Sequence, residues 1–456
     1  MLKTMFCGAM ALSTITFAAS GCGGDDKVAD ASQSINIIAV FPNSGSFAER
    51  GERYLKTLQM AVADLEADGD LIEGRKIAIH TFDATNDKDL AQEKTAAKVA
   101  ELGAENVAAI FSATGAAHKG SVLVALDEGI PHVEWASGGR DDEFFSSDVP
   151  AEKKRPIFQL RGLCPSLADM AASVAYTQDY QKVGLMRGTL DHDITHTTII
   201  RARMAEYAAL AGADAWTGEV VNAEDFVMDY DSDTTWEEYL GQFLTQNPDT
   251  DIIFYHLRGD TVNFSFLKAA KALSEAGTTV PKIMTCDMAR KPALLDPVQT
   301  NVADYLVDNF YFIGRGPLKS ELADSWSEDL NTRYGVTSDR WTKTGYDSMV
   351  LVGLAVAATQ STEHSVVTEA IYKVSKEGQE VAYPNIGDAV AAAKAGTDID
   401  YAGISGTVDI REANGTTIPP ELDRTVESRY YVEDIISDGA GGFEFHAVDD
   451  PAPVIQ

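Results

Sequence analysis

The sequence predicts an α/β protein with two lobes, each of them a doubly wound parallel sheet. Three observations predict this fold class. Short apolar runs that fit strands buried on both faces alternate with segments of helical spacing. The alternation starts again after residue 157, and the length of 456 residues lies above the usual single-domain range. Two similar lobes in series leave a crevice between them.

The first lobe begins with the run SINIIAVF at residues 34–41, which predicts a buried strand. A turn cluster follows at residues 42–45, and Ser46 with Glu49 three residues later forms a capping box that starts a helix. The unit then repeats, with strands predicted at KIAIHTF, VAAIF and HVEW and helices over 87–102 and 116–127. This alternation indicates right-handed crossovers in a parallel sheet.

The second lobe repeats the pattern. Strands are predicted at KVGLM (182–186), DIIFYHL (251–257) and KIMTC (282–286), and helices over 195–211 and 263–277. Two longer segments are unusual: an acidic stretch near 220–240 and an Ala- and Glu-rich stretch over 359–400. Most insertions of this kind decorate the surface, and either one could instead dock a partner.

The first residues predict export and a lipid anchor. Lys3 precedes an apolar core, and small residues lead to Cys22, an arrangement that resembles a bacterial lipoprotein signal. Residues 1–21 are then the signal peptide, Cys22 is the acylated residue and 22–33 is a flexible tether. A plain secretory signal with an incidental cysteine is the alternative. No later stretch has the length of apolar residues that a transmembrane helix needs.

Composition excludes some functions. The chain has 45% hydrophobic residues and a formal net charge of −33, from 70 Asp and Glu against 37 Lys and Arg. Nucleic-acid binding needs clustered cations that this chain lacks, so no nucleic-acid partner is expected. The sequence also has no nucleophile elbow, phosphate loop or dinucleotide-binding glycine pattern, so no cofactor and no enzymatic activity are expected.

Two cysteines remain once Cys7 is removed and Cys22 is acylated. Cys164 and Cys286 either form a disulfide, which an exported compartment permits, or are two buried thiols. No zinc spacing is present, and no metal is expected. His192 and His196 with their neighbouring aspartates invite a metal hypothesis, although helix-cap and surface roles are commoner for such residues.

The order of features resembles the leucine/isoleucine/valine-type periplasmic binding proteins, the type I solute-binding proteins. The segment IAVFPNSGSFAERGERYLKTLQMAVADLEADGDLIEGRKIAIHTFDATND carries the resemblance, which continues in VAAIFSATGAA, GIPHVEWASGG, TKTGYDSMVLVGLAVAA and IDYAGISGTVDIREANG. It covers roughly residues 34–445. The resemblance implies two lobes that close around a ligand held at the carboxyl ends of the strands.

It also implies that the chain crosses between the lobes three times, near 158–162, near 287–294 and near Ser405. The domains expected are 34–157 for the first part of lobe one and 158–287 for lobe two. Residues 288–404 would return to lobe one, and 405–456 would close lobe two and form the tail. The three crossings form the hinge.

The resemblance assigns ligand-binding positions residue by residue. In lobe one these are Ser44 in the first loop, the group Ser112, Ala113 and Thr114 after VAAIF, and the pair Ala136 and Ser137 after HVEW. In lobe two they are Tyr255 and Asp287, the latter standing where relatives carry a glutamate. Structural roles remain open: Ser112 and Thr114 fit helix caps, and Asp287 fits a partner of Arg290.

The function implied is capture of a small polar ligand, amino acid-like or a related carboxylate or amide, for an ABC importer. The protein would lie at the periplasmic or extracytoplasmic face of the cell envelope, held to the membrane by its lipid and partnered by ABC permease subunits. The alternative is a sensor or envelope-organising lipoprotein with the same lobes and no transport role.

Overall fold

Two sheets, built from different stretches of the chain, organise the structure. The computed structural model describes residues 33–44, 48–85, 87–113, 115–136, 149–160, 164–189, 191–211, 216–229, 232–257, 260–286, 292–296, 298–315, 320–376, 378–406, 408–410, 430–439 and 442–448. The first sheet is the core of lobe one and the second sheet is the core of lobe two, which confirms the α/β fold of parallel-sheet lobes.

The sheet of lobe one has five parallel strands in the order β2-β1-β3-β4-β5. The strands are β1 (Ser34–Phe41), β2 (Lys76–Asp83), β3 (Val107–Ser112), β4 (His132–Glu134) and β5 (Ile157–Gln159). Strand β1 is central, and alternate residues enter two different cores: Ile37 and Ala39 face one, Ile38 and Val40 the other. A near-continuous apolar run is therefore what this position requires.

Helices cover both faces of this sheet. The first passage of the chain supplies α1 (Ala48–Leu65), α2 (Lys88–Leu102), α3 (Gly115–Glu128) and the short α4 (Ala151–Lys154). Asp87 caps α2 by accepting a hydrogen bond from the Leu90 amide. Helices α2 and α3 touch closely at Gly120, where a Cβ atom would lie 2.2 Å from the carbonyl oxygen of Lys88.

The sheet of lobe two has eight strands in the order β15-β14-β11-β10-β9-β6-β7, with β8 also paired to β6. The strands are β6 (Lys182–Arg187), β7 (Glu219–Val220), β8 (Phe226–Val227), β9 (Ile252–His256), β10 (Lys282–Cys286), β11 (Phe310–Arg315), β14 (Tyr430–Ser437) and β15 (Phe443–Ala447). Strands β6 to β11 run parallel, whereas β14 and β15 are antiparallel.

In the described residues of lobe two there are six helices. They are α5 (Cys164–Thr177), α6 (Asp191–Ala211), α7 (Trp236–Gln246), α8 (Asp260–Glu275), α9 (Pro292–Leu295) and α10 (Ala303–Leu306). The acidic stretch near 220–240 is more than a surface loop, because β7 and β8 pair with β6 and extend the sheet. Helix α7 follows a capping box between Thr235 and Glu238.

The crossings differ from those predicted at two places. Strand β11 still pairs with β10, so the chain stays in lobe two up to Arg315 and not only to residue 287. Ile404, Val408 and Ile410 all belong to the core of lobe one, so the third crossing lies after Ile410 and not near Ser405. The final segment does complete lobe two, since β14 pairs with β11.

The return passage through lobe one carries α11 (Glu321–Tyr334), α12 (Arg340–Thr359), α13 (His364–Val374), β12 (Gln379–Ala382), α14 (Ile386–Lys394) and β13 (Ile399–Ala402). The Ala- and Glu-rich stretch is more than surface decoration, because Ile371, Ile386 and Ile399 are buried in the core of lobe one. In the described part of the chain, no helix is both long and apolar enough to cross a membrane.

Candidate functional site

The carboxyl ends of the parallel strands mark the candidate site. In open α/β sheets a ligand binds in the crevice outside these ends. In lobe one β3 ends at Ser112 and β4 at Glu134, while in lobe two β9 ends at His256 and β10 at Cys286. All four side chains are buried, with exposed fractions of 1% or less. The strand ends therefore carry polar groups that the protein interior must satisfy.

Ser112 is turned toward the interior of lobe one. Its hydroxyl is hydrogen bonded to Nδ1 of His118 at 3.0 Å, and both side chains are fully buried. His118 lies in the first turns of α3, six residues after the strand end. Burial lowers the pKa of His118 well below its usual value, so the ring is neutral. In this geometry the serine hydroxyl fixes α3 to the end of β3.

A second serine and histidine continue this polar layer. Ser121 Oγ is hydrogen bonded to Nε2 of His132 at 2.9 Å, and the rings of His118 and His132 lie 5.0 Å apart. Burial lowers the pKa of His132 to about 3, so this ring is neutral as well. No pattern considered in the sequence predicts this pair. A histidine at the start of a buried strand was the available signal.

At two of the predicted ligand-binding positions, Ala113 and Ala136, the backbone amide has a partner inside lobe one. The amide of Ala113 donates to the carbonyl of Val40 at 3.3 Å. The amide of Ala136 donates to Oε1 of Glu134 at 2.6 Å. Glu134 is fully buried at the end of β4 and was missed by the sequence analysis. These contacts hold the loops after β3 and β4 in place.

Ser44 is exposed in the loop after β1, and its hydroxyl is hydrogen bonded to Asp83. The same carboxylate accepts the amides of Asn43 and Thr85, each at 2.9 Å. Burial raises the pKa of Asp83, but the hydrogen bonds outweigh it and the pKa is lowered overall. Ser44 thereby joins the first loop to the end of β2.

Tyr255 lies in the core of lobe two and is fully buried. Its ring packs against Phe266 of α8 with centroids 4.3 Å apart. The alternation of β9 sets the side of the sheet on which each residue lies. Tyr255 and Ile253 face the same core, whereas His256 faces the opposite side of the sheet, where Asp193 lies.

Three further predicted contacts, Thr114, Ser137 and Asp287, lie outside the described residues, as does Cys22. Cys164 begins α5. Cys286 is a buried thiol and not half of a disulfide, and its side chain is hydrogen bonded to His256. Of the two alternatives for this cysteine, the structure therefore shows the thiol.

A cluster of ionisable side chains lies below the strand ends of lobe two. His256 Nδ1 is 2.7 Å from Oδ1 of Asp193, and the ring of His196 stacks on that of His256 at 4.2 Å. Burial disfavours the charged ring, but Cys286 and Asp193 outweigh it and raise the pKa of His256 to about 10. Asp193 and His196 of α6 thus contact His256 of β9 in the protein interior. Neither residue has a helix-cap or surface role.

An ion-pair network fixes the end of β6. Arg187 Nε lies 2.7 Å from Oδ2 of Asp225, and Arg201 Nη2 lies 2.8 Å from Oδ1 of the same carboxylate. Thr197 donates its hydroxyl to Asp225 at 2.6 Å. Burial alone would raise the pKa of Asp225, but the hydrogen bonds from Thr197, Arg187 and Arg201 outweigh it and lower the pKa overall, so that the carboxylate is charged at neutral pH.

The segment of lobe one that precedes the third crossing is anchored to α12. Asp347 is fully buried, and its carboxylate accepts hydrogen bonds from Tyr401 Oη at 2.6 Å and from the amides of Ile404 and Ser405 at 3.0 and 2.8 Å. Nearby on α12, Thr344 donates its hydroxyl to the carbonyl of Trp135 at 2.9 Å. The same helix thus contacts both the end of β4 and the segment before the crossing.

A cavity of about 600 Å³ lies elsewhere in lobe one, lined by residues of α12, α13, α14 and β13 that include Thr359, Lys373 and Asp398. Thr359 is separated from Thr344 by fifteen residues of α12, which is about 22 Å of helix. The cavity is therefore remote from the strand ends. In the described ranges, no group of three or more His, Cys, Asp or Glu side chains is placed to hold a metal ion.

Comparisons with known proteins agree with this architecture. The profile of the family described as periplasmic binding protein matches residues 34–420. A comparison with curated protein sequences gives no significant match. Among solved structures, an ABC transporter substrate-binding protein from Sphaerobacter thermophilus is similar, with 16% identity, a TM-score of 0.64 and coverage of 91% of this chain and 97% of that one.

Two more structures extend the comparison. A leucine binding protein from Thermotoga maritima has 16% identity and a TM-score of 0.59, with coverage of 91% of this chain and 98% of its own. A solute binding protein from R. palustris, in complex with 4-hydroxybenzoate, has 14% identity and a TM-score of 0.63, with coverage of 91% and 96%. The chain belongs to the periplasmic binding protein family, and it shares its fold with solute-binding proteins of the leucine type.

Proposed function

We propose that this protein is a lipid-anchored extracytoplasmic solute-binding protein. It captures a small polar ligand, an amino acid or a related carboxylate or amide, in the cleft between its lobes and delivers it to the permease subunits of an ABC importer. The family match over residues 34–420, joined to two parallel sheets in one chain, is the observation that carries the proposal. Binding and release are the whole task, and no catalytic step is proposed.

The ligand class follows from what similar proteins hold. One relative is a leucine binding protein and another was solved with 4-hydroxybenzoate. Both compounds present a carboxylate beside an apolar body. We propose that this chain accepts the same combination through the loops after β3, β4 and β10, which contain Thr114, Ser137 and Asp287.

Closure is proposed as a rigid-body motion of the two lobes. The chain leaves lobe one after Leu160, returns between Arg315 and Ser320, and crosses a third time between Ile410 and Tyr430. Three connections can bend together, but they prevent the lobes from drifting apart. The anchoring of Ile404 and Ser405 by Asp347 supports this, because it limits the third connection to the residues beyond Ile410.

Membrane attachment is proposed at Cys22, after removal of residues 1–21. The charged and small residues at 22–33 then act as a tether between the lipid and β1. In a Cys22→Ala variant expressed in a bacterial host, we expect release of the protein from the membrane fraction to the soluble fraction. Retention of this variant in the membrane fraction would contradict the anchor.

A thermal-shift screen tests ligand capture. The full chain would be heated with leucine, isoleucine, benzoate, 4-hydroxybenzoate and short amides in turn. A ligand present at 100 times its dissociation constant is expected to add about 2.7 kcal/mol to the free energy of unfolding. Calorimetry with a titrated ligand then gives the stoichiometry, expected to be one. An unchanged melting temperature with every compound would count against this ligand class.

A further inference from the structure

We propose that Cys286 is an oxidisable thiol, activated by His256 and oriented through Asp193, which reacts with small hydroperoxides. This modification site goes beyond solute capture and does not depend on which ligand the cleft holds. Its three residues come from three different elements: Cys286 ends β10, His256 ends the neighbouring β9, and Asp193 lies in the first turn of α6. The topology, and no local motif, brings them together.

The three side chains contact one another in the order Asp193, His256, Cys286. Asp193 Oδ1 lies 2.7 Å from Nδ1 of His256, and the side chain of Cys286 is hydrogen bonded to the same ring. Because Asp193 occupies Nδ1, the ring nitrogen left for the thiol is Nε2. A carboxylate, an imidazole and a thiol in this order are the parts of an activated cysteine: the carboxylate orients the ring and the ring takes the proton.

Burial strengthens each of these interactions. Asp193 is fully buried, while His256 and Cys286 are each 1% exposed, so little water screens their charges. The pKa of His256 is raised to about 10, because Cys286 and Asp193 outweigh the opposing effect of burial. A ring that keeps its proton beside a thiol stabilises the thiolate, which is the reactive form of cysteine.

Two further titratable side chains among the described residues, His196 and Tyr255, adjoin this arrangement. His196 stacks on His256 at 4.2 Å from the same helix as Asp193. Tyr255, the residue before His256, is fully buried, and burial raises its pKa far above the neutral range. Tyr255 therefore stays uncharged and adds no negative charge beside the thiolate.

The reaction balances with the hydroperoxide as the only co-reactant. The Cys286 thiolate attacks the terminal peroxide oxygen, a sulfur–oxygen bond forms and the oxygen–oxygen bond breaks. The departing alkoxide, or hydroxide when the reagent is hydrogen peroxide, takes the proton from His256. Sulfur is oxidised by two electrons to a sulfenic acid, and the peroxide is reduced to an alcohol or water.

The low exposure of Cys286 selects the reagent by size. Hydrogen peroxide is uncharged and little larger than water, whereas an aromatic disulfide reagent is bulky. The product would place an additional oxygen at the end of β10, directly before Asp287. A change at this position is expected to alter the lobe-two side of the cleft. Oxidation of Cys286 is therefore expected to affect ligand capture.

The experiment uses the full chain, hydrogen peroxide as oxidant and dimedone as the trap for sulfenic acid, with peptide-resolved mass spectrometry at Cys286. Between pH 6.5 and 7.5 the labelling rate of the native protein is expected to change less than twofold. An ordinary thiol, with a pKa near 8.5, would react about tenfold faster per pH unit over this range. Cys286→Ser gives the background.

Two variants separate activation from burial. His256→Gln is expected to lower the labelling rate at pH 6.5 at least tenfold and to restore the ordinary rise with pH, while Glu275→Gln, an exposed control, leaves both unchanged. If His256→Gln does not fold, the pH profile of the unmodified chain decides alone. A tenfold rise per pH unit in that chain, or labelling of Cys286 only after unfolding, would overturn the proposal.

Discussion

The hydroxyl of Ser112 and Nδ1 of His118 lie 3.0 Å apart in the interior of lobe one, where neither side chain reaches solvent. This contact joins the end of a central strand to the helix that follows it. It also explains why a serine at a strand end that fits a ligand contact by sequence faces the protein instead. Each partner satisfies a polar group that burial would otherwise leave without a hydrogen bond.

We therefore expect a non-additive pair of substitutions. His118→Leu leaves the Ser112 hydroxyl unsatisfied and is expected to lower the free energy of unfolding by about 1–3 kcal/mol. Adding Ser112→Ala to that variant should recover part of the loss. Urea denaturation of the four proteins of the double-mutant cycle measures the coupling. Simple addition of the two single effects would contradict a direct interaction.

The two lobes should respond to pH in opposite directions. His118 and His132 have lowered pKa values in the fold, so the unfolded chain binds protons that the folded lobe one does not as the pH falls below about 6.5. The raised pKa of His256 has the opposite sign: its contribution is present below about 6.5 and lost as the pH rises through about 10. Mild acid should weaken lobe one first.

Hydrogen exchange followed by mass spectrometry measures this difference. From pH 7 to 4.5, after correction for intrinsic exchange rates, peptides of β3 and β4 should lose protection while those of β9 and β10 keep it. Each buried histidine contributes on the order of 1 kcal/mol per pH unit below its unfolded pKa. His132→Gln should reduce the acid effect in lobe one. Equal loss in both lobes would be inconsistent with this assignment.

Asp347 is expected to be the most sensitive carboxylate near the third crossing. Asp347→Ala leaves the hydroxyl of Tyr401 and the amides of Ile404 and Ser405 without their acceptor. We expect a loss of at least about 2 kcal/mol in the free energy of unfolding, since each buried unsatisfied donor costs about 1–3 kcal/mol. Thermal unfolding of this variant beside Asp249→Ala, an exposed control, checks the prediction.

The contact between α2 and α3 requires a glycine. A Cβ atom at Gly120 would lie 2.2 Å from the carbonyl oxygen of Lys88 and 2.7 Å from the amide nitrogen of Gln92. Gly120→Ala must therefore push the helices apart, at a cost of about 1–3 kcal/mol.

Gly241 provides the matched control. It also lies within a helix, but nothing stands within 4 Å of an added Cβ, so Gly241→Ala should stabilise the protein by roughly 0.5–1 kcal/mol. Opposite signs in urea denaturation are the expected result. Two changes of the same sign would show that helix propensity and not helix spacing dominates at position 120.

The sequence predicted the parts of the fold that local patterns determine. Strand β1 has the predicted bounds, and helix α2 ends at Leu102 as predicted. Strand β11 was missed because its pairing with β10 and β14 is a long-range property. Its omission moved the predicted second crossing too early in the chain.

The candidate site was harder to predict for a related reason. Strand ends could be located, but the partner of each polar side chain lies far along the chain: 63 residues separate His256 from Asp193, and 38 separate Arg187 from Asp225. The spacing of residues along the sequence does not predict these pairings. The direction of Tyr255 and His256 depended on which face of β9 each residue occupies, and a continuous apolar run does not reveal that.

The last two strands give lobe two an unusual dependence on the end of the chain. Until Tyr430–Ser437 can pair, β11 has an unsatisfied row of backbone donors and acceptors along one side. The return passage through lobe one, residues 320–410, is made in the interval between these partners, so the edge stays open throughout that time. A protein exported as an unfolded chain would complete lobe two only after β14 and β15 arrive, and truncation before Tyr430 would leave a sheet prone to pairing with other chains.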